Sequence, residues 1–151
     1  MANNCVTQIN LYANESTMDW FEKLVKTYTV EDFIGQFGTQ DAENMIDKIG
    51  SKWLILTDHY RVDQHEYYAA FESAWYPPDT LIKNMVAQLQ ENNEGAYADG
   101  RYWDENFSPI GIFQCNGPDS WESAEDDIDV DWDNEYFWDE EVEPAFNNLE
   151  L

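Results

Sequence analysis

Tyr67-Tyr68-Ala69-Ala70-Phe71-Glu72-Ser73-Ala74-Trp75, followed by Tyr76-Pro77-Pro78-Asp79, decides how this chain folds. Aromatic and small residues alternate over 67–75, a period of two that belongs to a strand with one buried face. Two prolines then remove two backbone donors in succession and end the strand. Asp79 or Thr80 caps a helix in which Leu81, Ile82, Met85, Val86 and Leu89 recur at helical spacing. Upstream, Trp53-Leu54-Ile55-Leu56 reads as a core strand, and a polar connection at 59–66 joins the two into a long hairpin.

Further out, Asn92-Asn93-Glu94-Gly95 closes the helix, and residues 97–104 and 110–115 form a second hairpin through a turn at 106–109. Near the start, residues 6–12 suit a first strand. Asn14-Glu15-Ser16 offers a helix cap, with Asp19 as an imperfect capping-box partner for Ser16. Met18, Phe21, Leu24, Val25 and Tyr28 follow at helical spacing. Residues 29–38 read as a short helical turn and loop. A short helix from Thr39 or Gln40 then runs to Ile49, where Gly50 stops it. The order predicts an α+β fold: a ferredoxin-like antiparallel sheet with helices on one face, βαββαβ being the simplest topology. Asn116-Gly117-Pro118 is a strong break. It divides the chain into an α+β domain at 1–117 and an acidic, aromatic-rich C-terminal extension at 118–151. The extension is expected to be a strand or tail packed on the domain.

Gly50-Ser51-Lys52-Trp53, Phe71-Glu72-Ser73-Ala74-Trp75-Tyr76-Pro77-Pro78 and Tyr97-Ala98-Asp99-Gly100, with a Gly-Ile-Phe strand at 111–113, resemble the YubB-type ferredoxin-like domain. That family occurs in plasmid- and phage-encoded proteins. The likeness covers roughly residues 50–115 and implies a ferredoxin-like fold and a mobile-element origin. It supplies no catalytic residues, and the acidic C-terminal third lies outside it.

A net charge of −25 on 151 residues favours disorder, but seven Trp, nine Tyr and eight Phe are far more than a solvated chain needs. A folded domain with an acidic exterior is expected. Cys5 and Cys115 lie in apolar, strand-like contexts and read as reduced, buried thiols. No basic, then apolar leader opens the chain and no run reaches membrane-spanning length, so a cytoplasmic protein is expected, in the host cytoplasm if phage-encoded.

Arg101 is the last basic residue, and the fifty residues after it carry sixteen of the 32 acids. Halophilic adaptation spreads acids evenly; here their density jumps. Such a field repels nucleic acid and anionic membrane and attracts basic surfaces. Within it, Asp127-Ile128-Asp129-Val130-Asp131-Trp132-Asp133 alternates without exception. On a strand, Ile128, Val130 and Trp132 would take one face and the four aspartates the other, repeating every ~6.6 Å. That is of the order of phosphate spacing along a duplex, ~3.4 Å per strand step. The competing interpretation is a solvated edge strand whose like charges block pairing.

Asp129, Asp131, Asp133 and Glu140 also fall at positions 1, 3, 5 and 12 of a calcium-loop pattern, with Asn134 in place of glycine. Tyr136 at the aliphatic position and non-helical flanks argue against it. A second acidic cluster, Glu135, Asp139, Glu140, Glu141 and Glu143, surrounds Phe137 and Trp138. These rings either anchor a partner or dock the tail on its own domain. His59 and His65 are expected in an exposed loop, and no catalytic motif is present, so no enzyme and no cofactor are expected.

The expected partner surface comprises Asp126, Asp127, Asp129, Asp131, Asp133, Glu135, Trp138, Asp139, Glu140, Glu141 and Glu143. As a class, the chain resembles DNA-mimic inhibitors: anti-restriction proteins, uracil-DNA glycosylase inhibitors and several anti-CRISPR proteins. The resemblance implies occupation of the basic channel of a DNA- or RNA-binding defence protein, without direct binding to nucleic acid or membrane. A protein–protein adaptor that docks a basic partner is the alternative, and a calcium-binding module a third.

Overall fold

The computed structural model describes residues 3–151. Six strands, β1 (Asn4–Tyr12), β2 (Leu54–Arg61), β3 (Glu66–Ala74), β4 (Tyr97–Asp104), β5 (Ile110–Gly117) and β6 (Ser120–Asp126), form one sheet. Their order is β2-β3-β1-β4-β5-β6, and every neighbouring pair is antiparallel. Between β1 and β2 lie α1 (Glu15–Val25), α2 (Val30–Phe37) and α3 (Met45–Ile49); α4 (Asp79–Gln90) joins β3 to β4. A π-helical turn, Trp138–Val142, runs into α5 (Glu143–Asn147). The class is mixed α+β.

Local chemistry sets the helix ends. Asn14 caps α1 by accepting from the Thr17 N–H at 2.9 Å, while Asp19 pairs with Arg61 instead of closing a capping box. Thr29 and Asp32 form a reciprocal capping box on α2. This makes a true helix of the segment expected as turn and loop, and buries Phe33 and Phe37 on one side. The third helix is shorter than expected because Asn44, accepting from the Asp47 N–H at 2.9 Å, starts it only at Met45. Gly50 ends it at φ +94°, and a Cβ there would lie 2.1 Å from an Asp79 carboxylate oxygen. Pro78 takes the cap position of α4, ahead of the expected Asp79 or Thr80.

Strand alternation divides the sheet into two faces. Cys5, Ile9 and Leu11 of β1, Tyr67, Ala69 and Phe71 of β3, Ala98 and Tyr102 of β4, and Phe113 and Cys115 of β5 join the main core. Phe21, Val25, Phe33, Phe37, Leu81, Met85 and Leu89 of the helices complete it. Each such aliphatic or aromatic side chain stabilises by about 1.5–3 kcal/mol on burial, so this face dominates the energetics. Both cysteines are free and buried. Desolvation pushes the Cys5 thiol up to about 12, which keeps it unreactive.

Three further expectations change. His59 lies within β2, not a loop: its Nδ1 is 2.7 Å from the Tyr67 hydroxyl, its ring stands edge-on to Phe33, and burial lowers its pKa. His65 does lie exposed in the connection. The break at 116–118 leads into a hairpin turn, and β6 pairs with β5 with a register shift between Cys115 and Gly117, so the sheet continues across residue 117. Finally, the helices are not confined to one face. Trp103, Ile110 and Ile112 project to the opposite side, where a second cluster forms with Val130, Phe137, Trp138, Val142 and Phe146. Among the described residues, no helix is long and apolar enough to cross a membrane.

Candidate functional site

The acidic surface starts on β6, a terminal strand of the sheet. Trp121, Ser123 and Glu125 stand opposite Cys115, Phe113 and Gly111 on the helical side, while Glu122, Ala124 and Asp126 face the other way. Trp121 stacks on Phe113 at 4.6 Å between ring centroids. From β4, Tyr102 crosses above Gly111 and donates its hydroxyl proton to the Glu125 carboxylate. Only glycine permits this crossing, because a Cβ at 111 would sit 2.2 Å from the Tyr102 ring. These two ring contacts hold β6 and its acids on a rigid frame. Glu122 and Glu125 were not legible in the sequence, since the perfect alternation at 127–133 lies beyond the strand that carries them.

Past β6 the chain stays extended but forms no ladder. The Ile128 N–H donates to the Phe107 carbonyl at 3.1 Å and Val130 is buried, while Asp127, Asp129 and Asp131 are exposed. Alternation thus holds in burial as far as Asp131. A turn follows: the Asp131 carbonyl accepts from the Asn134 N–H at 3.0 Å, and its carboxylate accepts from the Asp133 N–H at 3.1 Å. Asp133 therefore leaves the row, which has three members where four were expected. Trp132 is 60% exposed, with its ring against Phe107 and Phe137. It covers the second cluster from outside and does not share the inward face with Ile128 and Val130.

The second acidic cluster separates into two groups. Glu135 and Asp139 are exposed. Glu140 and Glu141 close the preceding turn, Glu140 by accepting from the Asn134 amide at 3.1 Å and Glu141 from the Asp131 N–H at 3.0 Å. Glu143 turns inward. Arg101 Nη1 donates to its two carboxylate oxygens at 2.9 and 3.0 Å, and the Trp138 indole N–H donates at 2.9 Å. The Arg101 guanidinium carbon also lies 5.0 Å from the Phe146 ring centroid and 5.6 Å from that of Trp103. The last basic residue of the chain is thus a clasp for the C-terminal segment. Trp138, edge-on to Trp103 at 5.1 Å, docks on its own domain, as do Phe137 and Phe146. Tyr136 and Trp132 remain exposed among the acids.

Burial acts to raise the Glu143 pKa, but hydrogen bonds from Arg101 and Trp138 outweigh it and hold the carboxyl below its ordinary value. A depressed carboxylate stabilises the fold above its unfolded pKa of about 4.3. That contribution disappears as pH falls through the lower folded value. Acidification below about pH 4 is therefore expected to loosen the C-terminal segment, read as a red shift in tryptophan emission. Glu143→Gln, which lacks the titrating group, should lose this transition, and an identical acid transition in the two proteins would disprove the clasp.

The calcium-loop spacing does not assemble a ligand set. Among the described residues, no three His, Cys, Asp or Glu side chains stand together in a metal-holding arrangement. Asp131 and Glu140 are engaged in the turn contacts above. Calcium titration is expected to change neither tryptophan emission nor melting temperature beyond the screening by an equal concentration of magnesium. A saturable, calcium-selective response lost in Glu140→Gln is the opposing result.

Comparison with protein-family models, curated proteins and solved structures finds no match for this chain.

Proposed function

We propose that this protein is an acidic mimic of nucleic acid that occupies the basic nucleic-acid-binding channel of a host defence protein, of the anti-restriction or anti-CRISPR type. The observation that carries this reading is a pinned edge strand continued by an anchored segment. It presents Glu122, Glu125, Asp126, Asp127, Asp129 and Asp131 with no basic residue after Arg101. A nucleic-acid mimic needs charges held in place, since a solvated acidic tail loses conformational entropy on binding. Long-range attraction steers it to its target, and local carboxylates meet Arg and Lys there.

The likeness to a ferredoxin-like domain belongs to the same proposal. It is supported by the order β2-β3-β1-β4 with helical crossovers from β1 to β2 and from β3 to β4. On this reading β6 and the C-terminal segment, which follow the region of likeness, are additions that carry the acidic surface. The YubB-like motifs have structural uses that fit: Ser51 donates to the Ala74 carbonyl at 3.0 Å and accepts from the Ala74 N–H at 2.9 Å, tying the turn after α3 to the end of β3.

The test is competition. A basic protein captured from host lysate at low salt is loaded with labelled DNA or RNA, and the acidic protein is added. Release of the nucleic acid, diminishing as salt rises, is the expected result. A stable ternary complex would establish the adaptor instead.

A further inference from the structure

A cavity lies on the helical side of β6, where α4 begins. It has a volume of about 220 Å³, and its lining includes Tyr76, Pro77, Asp79, Tyr102, Trp121 and Glu125. That is smaller than the roughly 300–1,000 Å³ of small-molecule sites and on the scale of one long side chain. Its chemistry is specific in sign. Two carboxylates, Asp79 and Glu125, share it with three aromatic rings and no basic residue lines it. Carboxylates with aromatic faces hold a cation, and the planar guanidinium uses both surfaces at once by stacking on a ring while its N–H groups meet a carboxylate.

Independent features prepare this cavity. The Tyr102 hydroxyl fixes one oxygen of Glu125 through its hydrogen bond, so that carboxylate is oriented before any ligand arrives. Trp121 is immobilised by its stack on Phe113 at an interplanar angle of 8°. Tyr76 is 67% exposed beside the opening, a large ring without a covering partner. The molecule also contains its own example of the contact. The Lys83 ammonium lies 5.8 Å from the Trp121 ring centroid and 3.6 Å from an Asp79 carboxylate oxygen, outside the cavity lining, so an entering arginine displaces it from that ring and that carboxylate. Asp79 additionally offsets the positive end of α4, which would otherwise disfavour a cation there.

We infer that this cavity receives one arginine side chain of the basic partner, between the Tyr76 and Trp121 rings and the carboxylates of Glu125 and Asp79. The inference deepens the reading of an acidic surface for a basic protein and rests on it. It adds a fixed point: the acidic row supplies attraction without register, and a single arginine pocket beside that row supplies register.

The probe is the capped tripeptide acetyl-Gly-Arg-Gly-amide, titrated while the Trp121 indole N–H is followed by NMR. The same peptide with citrulline in place of arginine keeps the shape and removes the charge, and a lysine version keeps the charge and removes the plane. A saturable shift of the Trp121 signal by the arginine peptide is expected, at least fivefold weaker for lysine and absent for citrulline. Glu125→Gln keeps an oxygen to accept from Tyr102, so the fold is retained while arginine binding falls at least fivefold. Equal response to lysine and arginine, or no loss in Glu125→Gln, overturns the pocket and leaves only diffuse charge attraction. The two readings separate cleanly. A protein that fails to bind the arginine peptide yet displaces nucleic acid from its partner lacks the pocket and keeps the mimicry. One that binds the peptide and displaces nothing keeps the pocket and loses the mimicry.

Discussion

Phe146→Ala is expected to destabilise the protein by about 3–5 kcal/mol, the range for removing a buried phenylalanine ring. Phe146 is 5% exposed, stands edge-on to Trp103 at 6.0 Å and carries the Arg101 guanidinium over its face. Its loss opens a cavity in the second cluster, which is small and has few side chains available to collapse into the gap. For a domain of this length the melting temperature should fall by roughly 10 °C. The functional consequence follows from the same contact. With the ring gone, Glu143 and Trp138 lose the packing that holds them against Arg101. The segment from 127 onward then frays, and competition with nucleic acid weakens. An unchanged melting temperature, with amide exchange rising only after residue 127, would make the segment a separate cooperative unit. By contrast, Trp132→Ala should cost far less, because its ring is mostly in solvent.

The second large effect is on binding and not on folding. Changing Glu122 to Gln and Asp126, Asp127, Asp129 and Asp131 to Asn removes five charges at nearly constant shape. The side-chain oxygens that accept local hydrogen bonds at 126, 127 and 131 are kept. Like-charge repulsion falls, so the melting temperature should stay equal or rise. Association with the basic partner should slow by 10- to 100-fold, within the ~10–10³ range of electrostatic steering. The difference should vanish at high salt, where the parent also loses its advantage. If the variant displaces nucleic acid as well as the parent at low salt, the row from β6 to Asp131 is a solvated edge and the functional surface lies elsewhere. Phe146→Ala and the five-fold variant therefore have opposite signatures on stability.

Much of the central fold was legible because local rules and tertiary packing agree there. The alternation at 67–75, the double proline and the helical spacing at 81–89 all have only one solution, and β3 and α4 follow it. The second hairpin was equally plain from its strands and its turn. Where signals were weaker, a cap made the difference. The box of Thr29 and Asp32 converts a suspected loop into α2, and Asn44 delays α3 by several residues. Neither is evident from hydrophobic spacing, since one reciprocal pair of hydrogen bonds outweighs a marginal periodicity.

The acidic surface divides in the same way. Its sign, its density after Arg101 and its inward-facing Ile128 and Val130 belong to the sequence, because charge is additive along a chain and alternation is local. Which acids are free was decided only when strands from distant parts of the chain came together. Arg101 and Glu143 are 42 residues apart and become a clasp because α5 packs on the open face over β4 and β5. Tyr102 meets Glu125 because β5, with glycine at 111, lies between their strands and leaves the crossing open. Trp132 stays outside while Trp138 and Phe146 go in, although all three look alike as aromatics among acids, since the turn at 131–134 aims one ring away, and the π-helical turn and α5 aim the other two at Trp103. A carboxylate's neighbour in sequence says how strong the local field is, and only its neighbour in space says whether that field is available to a partner.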